Sequence, residues 1–439
     1  MFLRSRFFVS TLCCLAGALS SQVSAAEVVA YDLRGAFAAV EDASVSVLLS
    51  REALAQAIES ANNSRAALLP DVTLDASQRR SQSASVGANV TRAGITDRFD
   101  ATLNGRLNLL DPQVIATYQA AKKSINVAEL DLAATRETIL ATVAQAYFTH
   151  LRNIERLTVF DANIERARAL LNLAQRQADA GVATQIDVTR AQAQLASAQQ
   201  DRLQQETVVA TSDLRFKRLL GIEASLVLAL EPFTVQARQP APFSPVMAET
   251  AFERRADLLS SAARLEQNEL EVRAAKYNRL PALGLNGSYG YATERVLDGN
   301  EANIWSTAVT FSVPIFDGAR TGSLTRLALS RRRAQEARVK DLEFGIIAEV
   351  RLAVQNASSR AEQVDVAEMS QRLAEEELRL AQTRFEQGVA DNREIVEAQN
   401  RLALASDNLV EAKYQYKLSR VELARATGDV SEVLALDQS

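Results

Sequence analysis

What most constrains this 439-residue chain is where proline is missing. No proline falls between Gln113 and Glu231, and the only glycines there are Gly181 and Gly221. A second tract, Ser323 to Thr427, is also free of proline and holds only Gly345 and Gly388. Proline and glycine are the residues that punctuate helices. Each tract therefore reads as two long helices with one break, at Gly181 and at Gly388. Residues 113–178 as a single helix would be about 100 Å long at 1.5 Å per residue, far longer than a helix of a globular domain. Apolar side chains recur at three and four residues, as in Ile139, Val143, Tyr147, Leu151 and Ile154, and again in Leu342, Ile346, Val350, Val354, Ala357, Ala361 and Val364. The stripes are narrow, with Ala, Gln, Arg and Glu elsewhere. That favours extended coiled-coil packing. Aromatic residues make up only 5% of the chain, so interiors must be filled by Ala, Leu, Val and Ile, as close helix-on-helix contact allows.

The chain is also an internal duplication. A shift of 207 positions pairs Leu171, Leu173, Ala174, Gln175 and Gly181 with Leu378, Leu380, Ala381, Gln382 and Gly388, and without a gap pairs Arg218 and Gly221 with Arg425 and Gly428. Both helix breaks and both terminal glycines fall in one register, which Ala-rich composition alone would not produce. A slightly different shift aligns Leu69-Pro70 with Leu280-Pro281 and Asp111 with Asp317, so the segments between the helices are duplicated too.

Those segments change period from 3.6 to 2. Phe99, Ala101, Leu103, Gly105, Leu107 and Leu109 alternate with Arg98, Asp100, Thr102, Asn104, Arg106 and Asn108. Trp305, Thr307, Val309, Phe311, Val313 and Ile315 alternate in the second repeat, where Leu283, Leu285, Tyr289 and Tyr291 also share a parity. Val72, Leu74 and Ala76 do so more briefly. Each repeat thus offers two strands of roughly 9 to 12 residues with one apolar and one polar face, the length and rhythm of a transmembrane β-strand. On period alone, a hairpin covered by a helix fits as well. Asp111-Pro112 and Asp317-Gly318 supply helix starts at the strand ends. Four strands cannot close a barrel in lipid, where about eight or more are needed, but three copies would give twelve.

The first residues read as a secretory signal peptide: Arg4 and Arg6, the apolar run Phe7 to Leu19, and Val23-Ser24-Ala25 before the cut. Both cysteines, Cys13 and Cys14, lie inside it. With His150 as the sole histidine, the mature chain lacks the histidine and cysteine clusters on which most zinc sites and metal-assisted or triad hydrolysis draw. No catalytic residue, cofactor or metal is expected, and His150 reads as a packing or surface residue. A net charge of −5 argues against a nucleic-acid partner. The expected layout is a signal peptide (1–25), a first repeat of helix, two strands and two long helices (26–231), a connector around Pro240 to Pro245 (232–246), a second repeat (247–428) and a tail (429–439).

The segment Val313-Pro314-Ile315-Phe316-Asp317-Gly318, the long helix after it, then Arg384-Phe385-Glu386-Gln387-Gly388 and Ala398-Gln399-Asn400-Arg401-Leu402 resemble the TolC-like outer membrane efflux proteins. The resemblance runs from about Asp32 to Gly428 and occurs twice. It implies a mainly α fold with a membrane β-barrel: a homotrimer whose four strands per protomer form a 12-stranded barrel in the outer membrane, continued by a periplasmic α-helical tunnel. It further implies a passive export duct of a tripartite efflux or type I secretion system, coupled through a periplasmic adaptor to an inner-membrane transporter. The alternative is a soluble periplasmic coiled-coil scaffold or adaptor, which needs no lipid-facing strands.

Function is expected at the helix tips near Gly181 and Gly388, farthest from the strands. Glu394 and Glu397 share a helix face and in a trimer would stack as two carboxylate rings, as in cation-selective constrictions. The resemblance implies acidic rings there; the plain alternative is Glu397 pairing with Arg401 on a solvated face. The first repeat has Asp187 and Arg190 at the equivalent positions, so opposite charges on neighbouring hairpins would hold the tip shut, with Arg393 or Arg190 replacing the family's linking arginine where this chain has Ala390. Phe385 stands where the family's linking tyrosine would be. Asp187 equally suits a helix cap. Trp305, Tyr289 and Tyr291 suit an aromatic girdle or the barrel wall, and Arg331-Arg332-Arg333 a solvated face.

Overall fold

The computed structural model describes residues 28–86, 90–181, 184–230, 236–296, 302–387, 389 and 392–436. The signal peptide (1–25) and Gly388 lie outside the described residues. Strand β1 (Val28–Tyr31) leads into helices α1 (Leu33–Ala43) and α2 (Val45–Ala66), then β2 (Asp71–Val86), β3 (Val90–Leu110), α3 (Pro112–Asp179), α4 (Gln185–Leu220) and β4 (Val227–Leu230). The second half repeats this order with α5 (Pro245–Arg254), α6 (Ala256–Tyr277), β5 (Ala282–Thr293), β6 (Ala302–Ser312), α7 (Arg320–Glu386) and α8 (Asn392–Thr427), and α9 (Glu432–Leu436) ends it.

The duplication is visible in the lengths. Helices α3 and α7 have 68 and 67 residues, α4 and α8 both have 36, and α2 and α6 both have 22. At 1.5 Å per residue α3 and α7 each run about 100 Å. Their starts follow from local chemistry. Asp111 accepts hydrogen bonds from the amides of Gln113 and Val114 at 3.0 and 3.1 Å, with Pro112 at the first helical position. Asp317 accepts from the Thr321 amide at 2.8 Å. Gly221 and Gly428, one register apart, both take left-handed backbone at φ 66 and 92 where α4 and α8 end, the conformation glycine adopts without a Cβ clash. Gly181 does the same at φ 75 after α3.

Strands β2-β3-β5-β6 form one antiparallel sheet in that order. The first hairpin departs from the expected strand length, with 16 and 21 residues against 12 and 11 in the second. The register shows why: β5 ends level with Phe99 and Gln78, whereas β2 and β3 go on pairing to Val86 and Val90. The continuation begins with Arg79, Arg80 and Ser81 opposite Arg98, Asp97 and Thr96, so apolar alternation did not mark it. Strand β6 also stops earlier than its pattern suggests. It ends at Ser312, because Pro314 has no amide to donate to a ladder, and Ile315 and Phe316 stand 97% and 90% exposed beyond it.

Halfway along the long helices lies the thickest core. Phe37 and Val40 of α1, Tyr147 and Phe148 of α3, Phe216 of α4, and Tyr414 and Val421 of α8 are buried together, with Tyr147 edge-on to Phe148 and Phe216 at 5.7 and 5.9 Å. The tail joins it through Val430 and Val433. The backbone amide of Val430 donates to Glu137 at 2.9 Å; burial pushes that carboxyl up from its ordinary value, the amide bond opposing. Strands β1 and β4 pair in parallel across the two ends of the first repeat. The connector lies along α8, its Arg238 amide and carbonyl both bonded to the Tyr416 hydroxyl at 3.0 and 3.1 Å.

His150 is buried, its Nδ1 2.8 Å from the Ser212 hydroxyl and its Nε2 3.9 Å from Asp213. Burial pulls its pKa down, Asp213 opposes this and Lys217 adds to it. It is a packing histidine tying α3 to α4.

Candidate functional site

Two places carry chemistry: the sheet at one end and the helix tips at the other. In the sheet, register puts every strand's apolar set on one face. Leu74, Leu103, Tyr289 and Trp305 lie in one cross-strand row, and Leu107, Leu285 and Val309 in another. Several are wide open: Leu74 74%, Tyr289 63%, Trp305 73% and Phe311 68% exposed. The opposite face is a polar mesh in which Asn104 donates to Asp75 at 2.7 Å, Ser288 and Ser306 bond at 2.8 Å, and Arg98 meets Asp100 at 2.8 Å. A sheet with one dry and one wet face is what a barrel wall between lipid and a channel requires.

The dry face has the height of a bilayer core. From Leu283 to Thr293 the strand covers about 34 Å at ~3.4 Å per residue, or about 26 Å in height at the usual tilt near 40°. The outer strands β2 and β6 each have one neighbour only. Their free backbone edges cannot lie unpaired in hydrocarbon, where an unsatisfied amide costs several kcal/mol. Among the described residues, no helix is long and apolar enough to cross a membrane.

At the far tips, Leu170, Ala174, Val188, Ala191, Phe385 and Ile395 bury against one another, so all four long helices meet there. Asp187 accepts from the Thr184 amide and hydroxyl at 3.0 and 2.6 Å, which caps α4. These bonds, the hydroxyl's first, hold the Asp187 pKa below its ordinary value, with Arg190 helping. The cap expected for Asp187 is thus present. Arg190 finds Asp187 on its own helix at 3.6 Å, and within the protomer that is where its charge is engaged. Glu394 pairs with Arg384 at 3.2 Å, across the turn between α7 and α8. Glu397 lies 3.7 Å from Arg393 and 4.0 Å from Arg401, so the expected Arg401 partner is there and Arg393 adds a second. All of these side chains except Asp187 are 40% or more exposed. Phe385 is buried and packs in place of a polar link.

Sequence reading missed a polar seam between α3 and α8. Starting near the tip, Gln399 donates to the Arg166 carbonyl at 3.2 Å, Arg156 meets Asp407 with two bonds of 2.5 and 2.7 Å, Arg152 meets Glu411 at 3.2 Å, and Thr149 shares a 2.6 Å bond with the Tyr414 hydroxyl. Gln194 of α4 adds a 2.7 Å bond to Asn400. These partners are more than 200 residues apart in sequence, and no local pattern pairs them.

A family model described as outer membrane efflux protein matches residues 43–222 and 247–429. The outer membrane protein TolC of Vibrio cholerae is 28% identical over 407 residues, covering 90% of this chain and 89% of that protein. The alkaline protease secretion protein AprF of Pseudomonas aeruginosa is 25% identical, covering 84% and 78%. The CmeC outer membrane channel of Campylobacter jejuni superposes with a TM-score of 0.80 at 20% identity, covering 93% of this chain and 89% of that one.

Proposed function

The chain belongs to the outer membrane efflux protein family, and from that premise we propose that three copies close one duct through the outer membrane and the periplasm. The observation that carries the assembly is the sheet: a one-sided wall with two free edges. Pairing β2 of one copy with β6 of the next removes every edge, and a threefold ring does so with twelve strands, within the range of closed membrane barrels. A soluble scaffold or adaptor would have no use for the open apolar face. Helix α7 supports the same reading, since Val366, Met369, Leu373 and Leu380 lie exposed at coiled-coil spacing, a seam ready for a helix of a neighbouring copy.

In this reading the polar sheet face lines the barrel, the long helices line the tunnel, and the tips form the periplasmic entrance. Glu394 and Glu397 encircle that entrance, and Arg384, Arg393 and Arg401 hold their carboxylates in place. Asp187 fixes the start of α4, and Arg190 faces across to the next hairpin. Gly181 sits at the turn after α3, and the 207-residue shift makes Gly388 its sequence counterpart. Energy comes from elsewhere: the duct is passive, and an inner-membrane transporter joined through a periplasmic adaptor drives efflux or secretion. Membrane fractionation followed by native mass determination of the detergent-extracted protein tests the assembly. Three chains in the outer-membrane fraction are expected; a soluble monomer would overturn it.

A further inference from the structure

Where the dry face of the sheet ends, charge begins. One same-face row beyond Phe99 and Gln78, about 7 Å further along the strands, Arg80 of β2 lies opposite Asp97 of β3. Arg295, just past β5, reaches the same carboxylate. Its guanidinium is 3.8 Å from Asp97 and that of Arg80 is 3.6 Å, one on each carboxylate oxygen. Gln78 donates to the Glu294 carbonyl at 3.2 Å, reaching over β3 and holding the segment that carries Arg295. Asp97 is sheltered at 20% exposure, but Arg80 and Arg295 remain 69% and 75% exposed. Each turns one edge to the shared carboxylate and keeps further donors outward. The row has two positive charges and one negative, and points the same way as Leu74, Tyr289 and Trp305.

Resting on the reading that this sheet spans the outer membrane, we infer that Arg80 and Arg295, aligned by Asp97, form a binding site for the phosphate of an outer-leaflet lipid headgroup. Height and chemistry agree. The row lies just above a dry band about 26 Å tall and its aromatic residues, the depth at which headgroup phosphates sit. A guanidinium fork matches phosphate oxygens, and two forks around one acceptor leave a gap that an anion fills from the lipid side. Acyl chains of the same lipid would lie on Tyr291 and Phe99, whose rings are 6.0 Å apart.

The test uses the full protein reconstituted in phosphatidylcholine nanodiscs containing a bisphosphorylated glycolipid, or the same glycolipid with its phosphates removed. Bound glycolipid is counted by native mass spectrometry after stepwise delipidation. The wild type retains the phosphorylated form, and the Arg80→Gln, Arg295→Gln double variant retains it at least about tenfold less, as expected for loss of two charge-assisted contacts. A control variant, Arg51→Gln on α2, retains it as the wild type does. Equal retention by the double variant, or equal retention of the dephosphorylated lipid by the wild type, overturns the site. So does displacement by inorganic phosphate with no lipid bound in its place. Failure of the wild type itself to insert would instead overturn the membrane reading.

Discussion

Replacing Asp407 by Asn tests how the tip opens. If the tips form the entrance as proposed, widening it would move hairpin α7–α8 away from α3–α4 and peel the polar seam from the tip inward. The Gln194–Asn400 and Gln399–Arg166 bonds, both uncharged, give first. The first charged bond reached is Arg156–Asp407, about 20 Å from Glu394 at 1.5 Å per residue. Its two bonds and 29% and 26% exposure place it between an exposed pair, worth ~0.2–1 kcal/mol, and a buried charge-assisted bond, worth ~1.5–3 kcal/mol. About 1.5 kcal/mol per protomer is a fair figure, and each 1.4 kcal/mol is tenfold in an equilibrium. Asp407→Asn keeps the shape and removes the charge. Single-channel recording in planar bilayers should show open probability rising at least tenfold at unchanged oligomeric mass. The swap Arg156→Asp with Asp407→Arg should return it toward the wild type. An open probability within about twofold of wild type in Asp407→Asn would refute the claim that this seam restrains opening.

Glu394→Gln with Glu397→Gln should lower the preference for cations, read as a reversal potential in a salt gradient that moves toward zero. Arg190→Glu should raise single-channel conductance, since in the proposed trimer it would put a repulsive charge between neighbouring hairpins; unchanged conductance removes Arg190 from the proposed gate. Because burial lowers the His150 pKa in the folded chain, the unfolded chain binds its proton more readily. The stability this residue contributes is therefore present above pH ~6.5 and lost as pH falls below it. His150→Gln should accordingly lose less thermal stability than the wild type between pH 7.5 and 5.5, and parallel losses would exclude the effect. Gly221→Ala places a Cβ 2.9 Å from that of Ala43 in left-handed backbone; a cost of about 1–2 kcal/mol from conformation alone should appear as a lowered unfolding midpoint.

The helices were legible because proline and glycine mark breaks wherever they stand: α3 and α7 run through the tracts that lack proline. Strand faces were equally legible, since a period of two with one buried or lipid-facing side leaves its trace in Phe99 to Leu107. Length was not. In the outer part of β2–β3, Arg79, Arg80, Ser81 and Gln82 show no apolar alternation, and only the backbone ladder reveals a strand. At the tips, sequence located Glu394, Glu397, Asp187 and Arg190, and spacing suggested the Asp187 cap and the Glu397–Arg401 pair. It did not suggest Arg384 for Glu394, because that contact crosses the hairpin turn. The α3–α8 seam and the β1–β4 pair were out of reach for the same reason: their registers are set by how two helical hairpins settle on a shared core.

The free edges of β2 and β6 also have a genetic consequence. The proposed ring of three would have three seams, and each would have to close for any to be stable in lipid. A subunit whose β6 edge cannot pair would spoil every assembly it enters. Made alongside an equal amount of wild type, it would leave only about one ring in eight entirely sound, by random mixing of three subunits. Such an allele would be dominant, and its severity would report the number of subunits in the ring.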